Sequence, residues 1–293
     1  MVLPKISIVT PVLNQAGFLE LALKSVFEQG YSNLEYIVVD GGSTDGSVDI
    51  IKKYSDKLHY WISEPDNGMY DALNKGFAKS TGEIMLWLNS DDMLHPSALK
   101  NIAEAFSVFE HIHWITGINT AFDEQGRVIA AKDATNFSKY DFLAGNFQWI
   151  QQESTAWRRG LWDRAGATLD GKCRLAGDFE LWLRFFALEK LYRCEFLVGG
   201  FRVRKGQLSV TQKEKYMSEA LQFLDNAKKN LSPGDRGRLT TLRRIDAMRR
   251  VLRSTYVLDL NIFGRILGRL ERNIHDYPKM VRMNRSNFTL EIR

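Results

Sequence analysis

From Ile6 to Phe109, short apolar runs alternate four times with helix-periodic stretches, and that alternation restricts the chain to an α/β architecture with a mainly parallel sheet. The runs are Ile6–Val9, Leu34–Val39, Leu58–Ile62 and Ile84–Leu88. Between them lie Ala16–Gln29, Val48–Tyr54 and Met69–Ser80, and Ser97–Phe109 follows the fourth. In the first of these stretches Phe18, Leu19, Leu21, Ala22, Val26 and Phe27 suit a helix lying on a sheet, and Gly30 suits its stop.

Two of the strands end in carboxylates. Glu83–Leu88 is mostly apolar, as a buried parallel strand should be, and it breaks off into Asn89, Ser90, Asp91 and Asp92. Adjacent carboxylates at the end of a buried strand are costly unless something positive meets them. The carboxyl edge of an open α/β sheet is also where ligands bind. A divalent cation carrying phosphate oxygens satisfies both facts, while the plainer reading has Asp91 or Asp92 capping the helix near Pro96. Asp40 repeats the geometry after LEYIVV, followed by Gly41 and Gly42, which allow close backbone approach. A carboxylate there can accept a base-ring N–H or a ribose hydroxyl; a turn with Ser43 or Asp45 capping the next helix is the alternative. Neither strand is followed by G-x-G-x-x-G or a P-loop, so phosphate must be held by other means.

Further on, Arg174–Leu188 (RLAGDFELWLRFFAL) is apolar nearly all round, as a buried helix is, with Gly177-Asp178 at its N-terminus. The position suits a cap, and it also places one carboxylate where the helix favours negative charge.

Length and charge set the outer limits. A chain of 293 residues holds one large α/β domain with an appendage, or two small domains. No apolar run approaches the roughly eighteen residues that span a bilayer. The opening MVLPKISIVTPVLN enters a strand pattern at once, so no secretory leader is expected. Cys173 and Cys194 make neither metal-ligand spacing nor a disulfide framework, which suits a reducing cytoplasmic setting. The net charge of +5 is unevenly spread. Residues 211–293 carry 18 Lys/Arg against 9 Asp/Glu, a net of +9, leaving 22 against 26, a net of −4, for residues 1–210. Such asymmetry calls for an acidic partner for the tail. Leu239, Leu242, Ile245, Met248, Val251 and Leu252 form one apolar stripe there, set among arginines. Ile262, Phe263, Ile266, Leu267 and Leu270 form another. Basic amphipathic helices either lie on anionic membrane or dock on their own domain or a twin subunit.

Four blocks in order, SIVTPVLN, EYIVVDGGSTDGS, SEPDNGMYDALNKGFAKSTGE and LNSDDMLHP, resemble the nucleotide-sugar domain of family-two inverting glycosyltransferases. Those enzymes have the GT-A fold and include bacterial capsule and lipopolysaccharide sugar transferases. The resemblance implies a GT-A domain over residues 1–210, a mainly parallel nucleotide-binding sheet flanked by helices, and a basic helical extension over residues 211–293. It implies transfer from a nucleoside-diphosphate sugar, UDP being the expected nucleotide, to a hydroxyl of a glycan or lipid-linked acceptor, with no part for nucleic acid. Thr10, Pro11, Asn14, Asp40 and Asn67 match the family's nucleotide-side blocks. Asp91 and Asp92 match its D-x-D region, which holds Mn2+ or Mg2+ and the diphosphate. Asn89 stands where that motif often begins with Asp. Gln152 and Glu153, in QWIQQESTAWRR, fall in a segment that lines the acceptor side; a strand entering a helix is the plain alternative. Asp178 matches the family's base, which takes the acceptor proton. GGFRVRKGQLS resembles the closing strand and loop, where relatives often carry F-R-x-H; Arg204 replaces that histidine, making Arg202, Arg204 and Lys205 diphosphate candidates rather than metal ligands. The implied location is cytoplasmic, with the tail at the inner face of the membrane or in a homo-oligomer. Two rivals remain on sequence: a nucleotidyltransferase, whose arginine-rich glycine loop is missing, and a non-catalytic scaffold of the same fold.

Overall fold

The alternation resolves into a mixed, mostly parallel sheet flanked by helices, in a computed structural model that describes all residues except 1–2, 133–135, 146–148, 208–210, 255–259, 285–288 and 293. The first strands are β1 (Ile6–Val12), β2 (Leu34–Asp40), β3 (Tyr60–Ser63) and β4 (Ile84–Trp87). They are joined by α1 (Ala16–Phe27), α2 (Ser47–Lys53) and α3 (Met69–Lys79). After the short β5 (Met93–Leu94) come α4 (Ala98–Val108), β6 (Trp114–Phe122), β7 (Val128–Lys132) and α5 (Lys139–Ala144). Next are β8 (Thr155–Arg158), α6 (Arg159–Arg164), α7 (Gly177–Leu188), β9 (Tyr192–Leu197) and β10 (Gly199–Arg202). The tail contributes α8 (Lys213–Lys229), α9 (Pro233–Ser254), α10 (Leu260–His275), β11 (Val281–Asn284) and β12 (Thr289–Ile292). Across the sheet the order is β12-β11-β9-β6-β8-β4-β1-β2-β3, with β8 antiparallel to both of its neighbours.

The period-two alternation of strand side chains divides the core between the two faces. Val9, Ile37, Val39, Met85 and Trp87 face one way and pack with residues of α3, α6 and α7. Ile8, Tyr36, Val38, Ile84 and Leu86 face the other way, towards α1 and α4. The strand β1 runs on through Pro11 to Val12, beyond the four residues its pattern marks. Pairing with β4 stops at Val9, so the N–H that Pro11 lacks is not missed on that side. The ambiguous 119–142 segment becomes the β6–β7 hairpin followed by α5.

Among the described residues the tail is three helices and then two strands, and it shares the core of the front part. Ala220 and Leu224 of α8 and Leu239 and Leu242 of α9 join the cluster that contains Phe179 and Trp182 of α7. At its far end β11 pairs in parallel with β9, Val281 opposite Cys194. Both cysteines are free and buried. Of the first tail stripe, Leu239, Leu242 and Ile245 are buried and Met248 is exposed. The side chains of Val251, Leu252, Ile262 and Phe263 lie outside the described residues, as do Gln148 and Ser209. No helix among the described residues is long and apolar enough to cross a membrane.

Candidate active site

Because β2 and β4 run parallel to β1 on either side, their carboxyl ends open on one edge. Asp40 closes β2 and is fully buried. Its Oδ2 accepts from the Gly42 and Ser43 amides (3.0 and 2.9 Å) and from the Ser63 hydroxyl (2.7 Å), and the Ser43 hydroxyl donates to Oδ1. These bonds fold Gly41–Ser43 into a tight loop, and a Cβ on Gly41 would lie 2.5 Å from the Asp66 carboxylate. Asn14, with positive φ, clasps the same loop: its amide donates to the Ser43 hydroxyl and its side-chain oxygen accepts from the Thr44 amide. Thr10 is buried against the Tyr36 hydroxyl at 3.1 Å. Asn67 is exposed, and its carbonyl accepts from Arg174 at 3.0 Å, which ties this loop to the segment before α7.

Pairing of β10 with β5 carries the 202–204 segment onto the end of β4. There the two aspartates part. Asp91 keeps some exposure and its Oδ2 accepts from Arg204 Nε at 2.8 Å. Asp92 is buried, its Oδ1 accepting from the Arg202 amide (2.8 Å) and its Oδ2 from the Asn89 amide group (3.1 Å). Burial first, then the charges of Glu153 and Asp91, hold the Asp92 carboxyl well above the usual carboxylate range. Arg202, expected as a phosphate contact, is instead fully buried: its guanidinium donates to the carbonyls of Asp91, Asp123 and Glu124. This guanidinium ties three loop carbonyls together and is shut from solvent, with Nη2 left without a hydrogen-bond partner. Arg204 keeps its guanidinium at the edge, on Asp91, and both guanidiniums lie over the Phe18 ring of α1.

Among the described residues, no group of three or more His, Cys, Asp or Glu is placed to hold a metal ion. At the end of β4 the partly open carboxylate of Asp91 is a hard oxygen donor of the kind that serves Mg2+ or Mn2+ when phosphate oxygens and water complete the shell. Asp92, with both oxygens engaged inward, supports Asp91 from below.

The floor is the turn before β8. Gln151 fills both hydrogen bonds of the Thr120 backbone, and Gln152 donates to the Trp87 carbonyl at the end of β4. Glu153 is buried, and its Oε1 has no hydrogen-bond partner. Burial pushes its carboxyl up to about 8, and the charges of Asp91 and Asp178 add to the rise. At neutral pH it is therefore mostly a neutral acid. Gln152 and Glu153, expected on the acceptor side, thus lie beneath the site, and Glu153 lies within electrostatic reach of both ends of it. A Cβ on Gly199 would come within 2.1 Å of the Glu153 carbonyl, so β10 can close over this turn only with glycine there.

Asp178 occupies the first turn of α7, one residue inside Gly177. Burial raises its carboxyl to about 6, against the Phe179 amide and the Tyr216 hydroxyl, which favour the charged form. Tyr216 comes from α8 and its hydroxyl donates to Asp178, 3.2 and 3.4 Å from the two carboxylate oxygens. The approach to α7 is held by groups from distant sequence. Glu219 of α8 accepts from the backbone amides of Arg174, Leu175 and Ala176, each at 2.7 Å. The Tyr70 hydroxyl accepts from the Gly177 amide and donates to the Leu175 carbonyl. Tyr216 and Glu219 escaped the sequence reading because nothing local marks them. They sit in a polar helical stretch about forty residues past Asp178, and only the docking of α8 on α7 brings them in.

The model of "Glycosyl transferase family 2" matches residues 7–191, well over half of the chain. An uncharacterized glycosyltransferase of Mycobacterium tuberculosis is 31% identical over 183 residues, covering 62% of this chain and 68% of that protein. One of Nostoc is 34% identical over 129 residues, and the match spans 41% of this chain and only 40% of the Nostoc protein. Among solved structures, Staphylococcus aureus TarS 1–349 in complex with UDP-GlcNAc aligns with a TM-score of 0.65 at 17% identity, over 80% of this chain and 70% of TarS. The mannosyltransferase PcManGT of Pyrobaculum calidifontis, in complex with GDP-Man and Mn2+, gives 0.58 at 18% identity, over 79% and 66%. At such identity these two carry the fold, and the fold is that of GT-A glycosyltransferases.

Proposed function

The chain belongs to glycosyl transferase family 2, and from that premise we propose that it transfers a sugar, with inversion, from a nucleoside-diphosphate donor to a hydroxyl of a glycan or lipid-linked acceptor in surface polysaccharide synthesis. UDP is the nucleotide we assign. The observation that carries this is Asp178, a carboxylate set in an apolar wall and raised to about 6. A base works best with a pKa near the working pH, where it is ionised yet still holds a proton usefully. As the acceptor oxygen bonds to the anomeric carbon, its proton passes to an Asp178 oxygen. The bond from that carbon to the diphosphate oxygen breaks, and its electron pair leaves on the diphosphate. Attack from the face opposite the leaving group inverts the centre.

The other end of the site receives charge. Arg204 can turn from Asp91 to the diphosphate, a trade between two anions for which a planar guanidinium is suited. Asp40, Asn14 and the Gly41–Ser43 loop form the nucleotide side, with Thr10, Pro11 and Asn67 around them. Mn2+ or Mg2+ would be held by Asp91 and, when bound, would neutralise charge on the departing diphosphate. The protein works in the cytoplasm, and its basic tail holds it at an anionic membrane face.

The test is Asp178→Asn. Transfer should fall by about 10² or more, the usual size of a general-base contribution, with donor affinity unchanged. The wild-type rate should fall about tenfold per pH unit below about 6, as the base becomes protonated. Undiminished transfer, or an equal loss of donor binding, refutes the assignment of the base.

A further inference from the structure

Trp149 is an unusual residue to leave in solvent. It precedes the buried Ile150, yet it is 53% exposed, and its indole packs on the Tyr216 ring with centroids 5.2 Å apart and planes tilted by 41°. Both rings line the pocket that holds Asp178, whose other walls include Phe142, Phe179 and Trp182. Among the described residues of that lining, Asp178 is the one charged group. The Tyr216 hydroxyl, 3.2 and 3.4 Å from its two oxygens, fixes which way the carboxylate faces.

An apolar pocket with a single anionic group suits a particular ligand chemistry. A diphosphate would be repelled by Asp178 and finds its cation at Arg204 instead, so the donor nucleotide does not belong here. A pyranose ring does: one face is C–H and apolar, its rim carries hydroxyls, and an aromatic face beside a carboxylate meets both. We propose that Trp149 and Tyr216 form the acceptor subsite of this enzyme, a platform on which a pyranose ring of the acceptor stacks with one hydroxyl turned to Asp178. This rests on the glycosyltransferase reading and adds that the acceptor is recognised through a sugar ring. It also gives the C-terminal extension a part in the active site. The family match ends at residue 191, whereas Tyr216 and the loop-fixing Glu219 come from α8.

The experiment uses the full chain with methyl pyranosides of glucose, galactose, mannose and N-acetylglucosamine as probes, read by saturation-transfer NMR in the presence of UDP. UDP and GDP binding is followed in parallel by calorimetry. The wild type should transfer saturation to the C–H face of at least one pyranoside. Trp149→Ala should weaken that pyranoside by several-fold up to about tenfold, the size of an aromatic contact, and Trp149→Phe should keep most of it. Nucleotide affinity should be equal in all three, which also shows that the variants are folded. If Trp149→Ala binds the pyranoside as the wild type does, or if the wild type binds nucleotide but no pyranoside, the platform is refuted and the glycosyltransferase reading stands. If no form binds a nucleoside diphosphate, that reading fails and takes the acceptor assignment with it.

Discussion

Replacing Glu153 by Gln should make the protein's stability less sensitive to pH. In the folded chain the carboxyl is buried, has one oxygen without a partner, and faces the charges of Asp91 and Asp178, which together lift it from 4.5 to about 8. Between those two values the folded state keeps a proton that the unfolded state releases. Stability is therefore fully present below about 4.5 and is lost as pH rises towards about 8. The slope is about 1.4 kcal/mol per pH unit, so the loss is roughly 3 kcal/mol by pH 7 and between 4 and 5 kcal/mol once the group is fully ionised. Gln copies the shape of the protonated acid and does not titrate. Its amide brings a second donor to a place without a partner, a pH-independent cost of about 1–3 kcal/mol, so the readout is the slope and not the level. Urea denaturation of both proteins in chelator at about pH 6, 7 and 8 should show the variant gaining about 2 kcal/mol on the wild type across that range. Parallel curves would mean that Glu153 is ionised and partnered in the folded state, and the burial argument would be wrong.

Arg204→Gln should weaken nucleoside-diphosphate binding by about tenfold or more, the size of a charge-assisted hydrogen bond, and should tighten Mn2+ binding by freeing Asp91; calorimetry that finds both affinities unchanged would remove Arg204 from the diphosphate site. The tail's exposed Leu221, Met248, Ile266 and Leu270, with its net charge of +9, should make the protein float with anionic vesicles at low salt and release at high salt, each Lys or Arg near the leaflet contributing about 1 kcal/mol. Equal flotation with neutral vesicles would leave the tail as packing alone.

Most of the α/β frame was legible because it rests on local signals. Ile84–Leu88 is apolar throughout, Ile6–Val9 and Leu34–Val39 are broken only by Ser7 and Glu35, and the parallel order follows from the helices between them. Strand ends were legible too, since Asp40 and Asp91 interrupt those runs. Which way a side chain faces was not. Asp91 and Asp92 are neighbours in sequence, but adjacent residues point apart, and only the arrival of β10 decides that one meets Arg204 and the other the Arg202 amide. Arg202 and Arg204 were confused for the same reason, two cations in one loop with opposite fates. The tail read as an appendage because its helices are polar overall. Ala220, Leu224, Leu239 and Leu242 are few and widely spaced, yet they complete the cluster over α7.

Asp91, Asp92, Glu153 and Asp178 lie close enough for their charges to act on Glu153 or on one another, and the way this is managed explains why the site has two ends. Asp91 is met by a guanidinium at 2.8 Å, so its charge is offset where the leaving diphosphate would sit. Glu153, within reach of both Asp91 and Asp178, is raised to about 8 and adds little negative charge at neutral pH. Asp178 has no cation beside it among the described residues of its pocket, and at about 6 it is ionised at neutral pH without being so stable as an anion that it cannot take a proton. Were Glu153 charged, its field would lift Asp178 further and draw Arg204 inward, blurring the difference between an end that accepts protons and an end that accepts anions. Environments that push neighbouring acids apart are how one fold assigns separate tasks to like residues. Here burial lifts Glu153 furthest and Asp178 less far, the Tyr216 hydroxyl from beyond the family's matched segment favouring the charged form of Asp178, while a guanidinium sits on Asp91.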